Sequence, residues 1–137
     1  MNIKNLVIGT VVGTIVLYLL GMLIWQVLFA DFFDAQAGSA MEVDREAPIM
    51  WAVVLGSACY GLLVTLGLEA SGKKSIGGGL LVGAVVGGLL WGTADFVLYG
   101  ITNLSTLTGA VADAVLEAVR GAITGAVVAF VLSKVGD

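Results

Sequence analysis

Hydrophobic positions in this chain run in blocks too long for a soluble core and too continuous for barrel strands, which would alternate with a period of two. Four blocks approach or exceed the roughly 20 residues that a helix needs to cross about 30 Å of hydrocarbon. They lie near residues 6–29, 49–68, 76–101 and 109–132. The connections are short: 31–48, with Asp31, Asp34, Glu42, Asp44 and Glu46; 69–75, with Lys73 and Lys74; and 102–108, which has no charge. Pro48 suits the first turn of the second helix, and Ser75 suits the cap of the third. The expected fold is a single-domain, all-α, four-transmembrane-helix bundle spanning residues 1–137.

The last block breaks its own pattern. Asp113, Glu117, Arg120 and Thr124 follow i, i+4, i+7 and i+11, which puts them within about 60° of helical arc. About ten strong apolar residues contribute roughly −4 kcal/mol to insertion, whereas three central charges cost on the order of +6 to +9 kcal/mol. That helix therefore needs polar partners. Span three offers a matching stripe of Trp91, Asp95, Tyr99 and Thr102. Counted from the third connection, Asp95 and Asp113 each lie about nine residues down their helices, so they are expected to meet in the outer half.

Three carboxyl groups face a single guanidinium in this cluster. Either at least one carboxyl holds a proton, with Asp113 or Asp95 the candidate, or water or a cation completes the site. Arg120 stays charged and binds a carboxylate through parallel hydrogen bonds, with Glu117 or Asp95 as the expected partner. Candidate lining residues are Trp91, Tyr99 and Thr124. Three readings stand: a structural ion-pair network fixing helix register; proton or ion handling, or recognition of a polar ligand from outside; and an interfacial amphipathic helix over residues 105–120.

Glycine spacing suggests how the spans pack. Gly79, Gly83 and Gly87 recur every four residues, as do Gly88 and Gly92, and Gly9 and Gly13. Such spacing lets backbones approach where lipid supplies no hydrophobic drive. Span three is expected to be central. An internal similarity relates Gly21–Trp25 and the following Ala30-Asp31-Phe32 to Gly87–Trp91 and Ala94-Asp95-Phe96, with two residues fewer in the second copy. It fits two parallel helical-hairpin repeats or the convergence of aromatic-rich span ends.

Composition agrees with this picture: 59% of residues are hydrophobic and only 12% charged, against about 25% in soluble domains. A net charge of −4 without a basic stripe argues against nucleic acid as a partner. Lys4, Lys73, Lys74 and Lys134 fall on one side and the acidic connection on the other, so both termini are expected to be cytoplasmic. Ala35-Gln36-Ala37 has the form of a leader cleavage site. The preceding apolar run of about 24 residues exceeds a leader's 7 to 15, however, and retention is expected. Phe29, Phe32 and Phe33 beside Trp25 read as an interfacial aromatic belt.

Chemistry beyond the charged cluster is sparse. The chain has no His, and its one Cys, Cys59, lies inside span two. No metal, cofactor or enzymatic activity is expected. The acidic connection lacks calcium-loop spacing, and Gly77-Gly-Gly79 lacks the context of a phosphate loop.

Tyr99-Gly-Ile-Thr102-Asn103-Leu104-Ser-Thr106-Leu107, followed by Glu117-Ala-Val-Arg120-Gly121, resembles a family of small, uncharacterised bacterial membrane proteins with four spans. In that family a Tyr precedes a Thr-Asn-x-x-Thr-Leu turn, and the last span carries Asp-x-x-Trp-Gly. Glu117 stands where the family has Asp, and Arg120 where it has Trp. The resemblance covers about a third of the chain. It implies the four-span topology and a bacterial inner-membrane location, but no activity. The function expected is an accessory or scaffolding subunit, as a homo-oligomer or within a larger complex; a small proton- or ion-coupled transporter is the alternative.

Overall fold

A computed structural model describes residues 2–37, 43, 45–72 and 75–135. Helix α1 (Ile3–Gly21) runs directly into a π-helical stretch, Met22–Leu28; helices α2 (Ala30–Gln36), α3 (Met50–Ser71), α4 (Ile76–Ile101) and α5 (Leu107–Val135) follow. There is no strand among the described residues. Ile3–Leu28, α3, α4 and α5 are long and apolar enough to cross a membrane. The fold is an all-α four-helix bundle suited to a multi-pass membrane protein.

The third span coincides with its hydropathic block, and the others differ from theirs by up to three residues at an end. Helices run past the apolar blocks because polar caps satisfy their terminal N–H groups. Asn2 accepts from the Lys4 N–H at 2.9 Å, and the Ser75 hydroxyl accepts from the Gly78 N–H at 3.0 Å. Pro48 does not enter α3 as expected but precedes it by two residues, with Ile49 as the flanking extended residue. Gly72, left-handed at φ +65°, ends α3; there a Cβ would be strained.

The first connection also departs from a plain loop, because Ala30–Gln36 form α2 after a break at Phe29. Asp31 in its first turn complements the helix dipole. The Thr106 N–H donates to the Gln36 carbonyl at 3.1 Å, and the Thr106 and Gln36 side chains also hydrogen-bond. So α2 folds over the outer end of α5, outer meaning the end of the bundle remote from both termini. At the opposite end, Asn5 Nδ2 donates to Glu69 at 3.1 Å and Lys4 Nζ to the Val135 carbonyl at 2.8 Å.

Helix α1 packs on α3, α4 packs along α5, and α1 against α5 joins the two hairpins; α3 and α4 meet less extensively. Glycines stand at the closest approaches in both hairpins. A Cβ on Gly83 would lie 1.9 Å from the Gly121 carbonyl oxygen, and one on Gly79 2.3 Å from that of Gly125. Between α1 and α3, a Cβ on Gly13 would lie 3.1 Å from the Gly61 Cα.

Span three is not the central one. Within the most apolar window of each helix, 39% of α5 is buried against 11% of α4. The glycine face of α4 lies on α5, but its Leu80, Leu81, Val85 and Leu89 point away from the protein. In the half of the bundle nearer the termini, Val64, Leu68, Val128 and Ala129 form an apolar core that reaches Leu17 and Tyr60 at mid-depth. At the outer end of α3, residues 50–56 are all exposed.

Candidate functional site

One helix supplies the central stripe. Glu117 and Thr124 on α5 are 2% and 0% exposed, and Arg120 is 9% exposed. Arg120 Nη1 donates to Glu117 Oε1 at 2.7 Å, while Nε and Nη2 both donate to the Leu17 carbonyl on α1, at 3.0 and 2.6 Å. Gly21 permits this approach, since a Cβ there would sit 2.8 Å from Nη2.

Aromatic rings enclose the guanidinium. Its carbon lies 5.3 Å from the Trp25 ring centroid and 5.8 Å from that of Tyr60, distances at which a ring face attracts a cation. Tyr60 donates its hydroxyl to the Glu117 carbonyl at 3.1 Å, and Thr124 donates to the Arg120 carbonyl at 2.8 Å. The Trp25 indole N–H donates to Asp113 Oδ1 at 2.6 Å. Trp25 lies in the π-helical stretch, whose wider turn changes which face of the helix the following residues present. The first span is thus tied to α5 by the Leu17 carbonyl of α1 and by the Trp25 indole of the π-helical stretch.

Asp95 of α4 and Asp113 of α5 face the same pocket, close enough to interact electrostatically. Asp95 Oδ2, Glu117 Oε2 and Trp91 Nε1 are buried without a hydrogen-bond partner among the described residues. The two aspartates form part of the wall of an outer pocket of about 240 Å³, together with Phe33 and Gln36 of α2, Tyr99 of α4 and Ser105. Two further clefts flank α3, of about 190 Å³ against α1 and about 420 Å³ against α4, and Arg120 and Ser57 line both. Toward the termini, Leu17, Val64 and Val128 are fully buried.

The structure thus gathers Asp95, Asp113, Glu117 and Arg120, with Glu117 rather than Asp95 as the ion-pair partner. Thr124 lies beneath Arg120, Trp91 lines the larger lateral cleft, and Tyr99 stands at the outer pocket, 41% exposed. Helix α5 is continuous from Leu107 to Val135 and packs on α4, so residues 105–120 do not form a separate interfacial helix. Gly79, Gly83 and Gly87 lie against the α5 backbone; Gly88 and Gly92 flank that seam, with added Cβ atoms 3.3 Å from Ala118 and 4.0 Å from Ala114.

Sequence reasoning missed Gly121 and Gly125, although their four-residue spacing mirrors that of α4. It also missed Gly21, Tyr60, Ser57 and the Leu17 carbonyl, which no spacing marks. Trp25, expected in an interfacial aromatic belt, has its ring 6.2 Å from that of Phe33, and Phe32 meets Phe33 edge to face at 5.1 Å. Cys59 is exposed on α3. Asp31, Asp34 and Glu46 are exposed, whereas Glu42, Asp44, Lys73 and Lys74 lie outside the described residues. Among the described residues no group of three or more acidic or cysteine side chains is arranged to hold a metal ion.

Searches of family models, curated proteins and solved structures found no match to this chain.

Proposed function

We propose that this chain is an accessory or scaffolding membrane subunit whose buried ion pair fixes the register of its helices. The observation that carries the reading is the Arg120 guanidinium, held by Glu117 on its own helix and by the Leu17 carbonyl on α1. Exchange of a bound ion at Arg120 would break these bonds, and the buried Thr124 and Thr65 hydroxyls on the side of the termini are already donated to the Arg120 and Gly61 carbonyls of their own helices. The outward Leu and Val side chains of all four spans suit lipid, a second copy or a larger complex. Lys4 and Lys134 at one end, and acidic residues in the first connection, support cytoplasmic termini. The turn and last-span resemblance supports a bacterial inner membrane.

A second reading, a small proton- or ion-coupled transporter, is favoured by one feature. Asp95 and Asp113 lie together in the wall of the outer pocket. Asp113→Asn and Glu117→Gln separate the two. If the native chain gives no more pH-dependent flux in proteoliposomes than empty vesicles, and both variants fold but lose co-purifying partners or self-association in mild detergent, scaffolding stands. Flux present in the native chain and lost in the variants would replace scaffolding with transport.

A further inference from the structure

Two nearly buried polar side chains on different helices open onto the same lateral space, and neither the scaffolding nor the transport reading uses them there. Ser57 is 7% exposed, and its hydroxyl has no hydrogen-bond partner among the described residues. Three of the five Arg120 N–H groups bond to Leu17 and Glu117, which leaves one N–H on each terminal nitrogen. Both residues line the cleft of about 420 Å³ between α3 and α4. That volume falls within the roughly 300–1,000 Å³ typical of small-molecule sites.

We propose that this cleft binds an uncharged, lipid-soluble molecule through a carbonyl oxygen, with Ser57 and Arg120 as the hydrogen-bond donors. Arg120 can only donate, so the ligand must present an acceptor. The ligand is uncharged because a cation would be repelled by Arg120, and an anion would meet Glu117 and Asp113 of the same cluster.

Depth and walls define the rest of the molecule. Arg120 lies roughly 20 Å from either end of α5, at 1.5 Å per residue, beyond the reach of a lipid phosphate seated at the surface. Val53, Leu63 and Leu90 are 43%, 42% and 39% exposed along the cleft, so it opens through the flank of the bundle rather than its end. Trp91 gives one wall a flat aromatic surface, suited to stacking on an aryl ketone or a quinone-like ring.

The test uses the full-length chain in phosphatidylcholine nanodiscs and a benzophenone carrying a decyl tail, which is both carbonyl ligand and photolabel. Labelling is expected to concentrate on residues 53–63 and 90–91. An alkyl phenyl ketone should compete, while its analogue with CH₂ in place of C=O should compete at least about fivefold more weakly, the equivalent of one neutral hydrogen bond. Gly56→Phe should abolish site labelling by filling the cleft, and an added Cβ there meets no atom within 4 Å. Ser57→Ala should weaken competition by a similar factor, and it decides the question should Gly56→Phe fail to fold. Labelling spread evenly over the outward apolar surface, equal competition by the methylene analogue, or stronger competition by decanoate would overturn the proposal.

Discussion

Helix α4 against α5 and the outer end of α3 show the same residue type in opposite circumstances. Along the α4–α5 seam, Gly79, Gly83 and Gly87 meet backbone atoms of Gly125, Gly121 and Glu117 so closely that no Cβ fits. On α3, Gly56 faces open space within a run of seven exposed residues. Close approach on one side of the bundle contrasts with a stand-off on the other. Both surround Arg120, which is clamped to α1 and α5 but reached from clefts on either side of α3. Rigidity in this protein therefore belongs to the hairpin seams, and access belongs to the loosely held end of α3.

The largest expected effect breaks the tight side. Gly83→Leu would place a Cβ 1.9 Å from the Gly121 carbonyl oxygen, a backbone atom that cannot rotate away. The hairpin would have to separate along its length and lose the packing of its neighbours. A loss above about 5 kcal/mol is expected, in the range reserved for gross disruption, measured by reversible unfolding between mild detergent and dodecyl sulfate. A loss below about 1 kcal/mol would mean that the seam is looser than the geometry requires.

Arg120→Met comes next and acts between the two sides. It removes the tie to the Leu17 carbonyl and leaves Glu117, 2% exposed, without its partner. Breaking a buried pair from one side costs about 3 to 5 kcal/mol, whereas replacing both members with apolar side chains is often close to neutral. The double variant Arg120→Met, Glu117→Met should therefore recover most of the loss in the same assay. Recovery of less than half would assign the stability to the Leu17 contact and not to the ion pair.

These contrasts explain what could be read without coordinates. Four spans were legible because hydrocarbon demands long apolar runs, and the Asp113–Glu117–Arg120 stripe was legible because its i, i+4, i+7 spacing survives any packing. The pairing of Arg120 with α1 was not, since its acceptor is the carbonyl of Leu17, a group every residue carries. Trp25 escaped for a related reason: an indole near a span end fits a membrane belt, and only the π-helical stretch puts it against Asp113. Span three was expected at the centre on glycine content. A single glycine face yields one intimate neighbour, however, and leaves the remaining faces of α4 outward.

The smallest expected effect sharpens the comparison within α4 itself. Gly92 follows Gly88 at the same spacing that relates Gly83 to Gly87, but an added Cβ would stand 4.0 Å from the Ala114 Cβ, an ordinary van der Waals separation. Gly92→Ala should therefore raise stability by about 0.4 to 1 kcal/mol, because alanine restricts the unfolded backbone without meeting resistance in the folded one. Gly88→Ala brings the new carbon to 3.3 Å from Ala118, and the gain should shrink toward zero as that methyl yields. Gly87→Ala meets the Tyr60 hydroxyl at 2.2 Å and the Glu117 carbonyl at 2.4 Å, and must destabilise. The sign should thus change between positions 87 and 92 when the three variants unfold under identical detergent conditions. A common sign would mean that α4 and α5 pack with equal closeness at all three positions, and the distinction between seam and flank would fail.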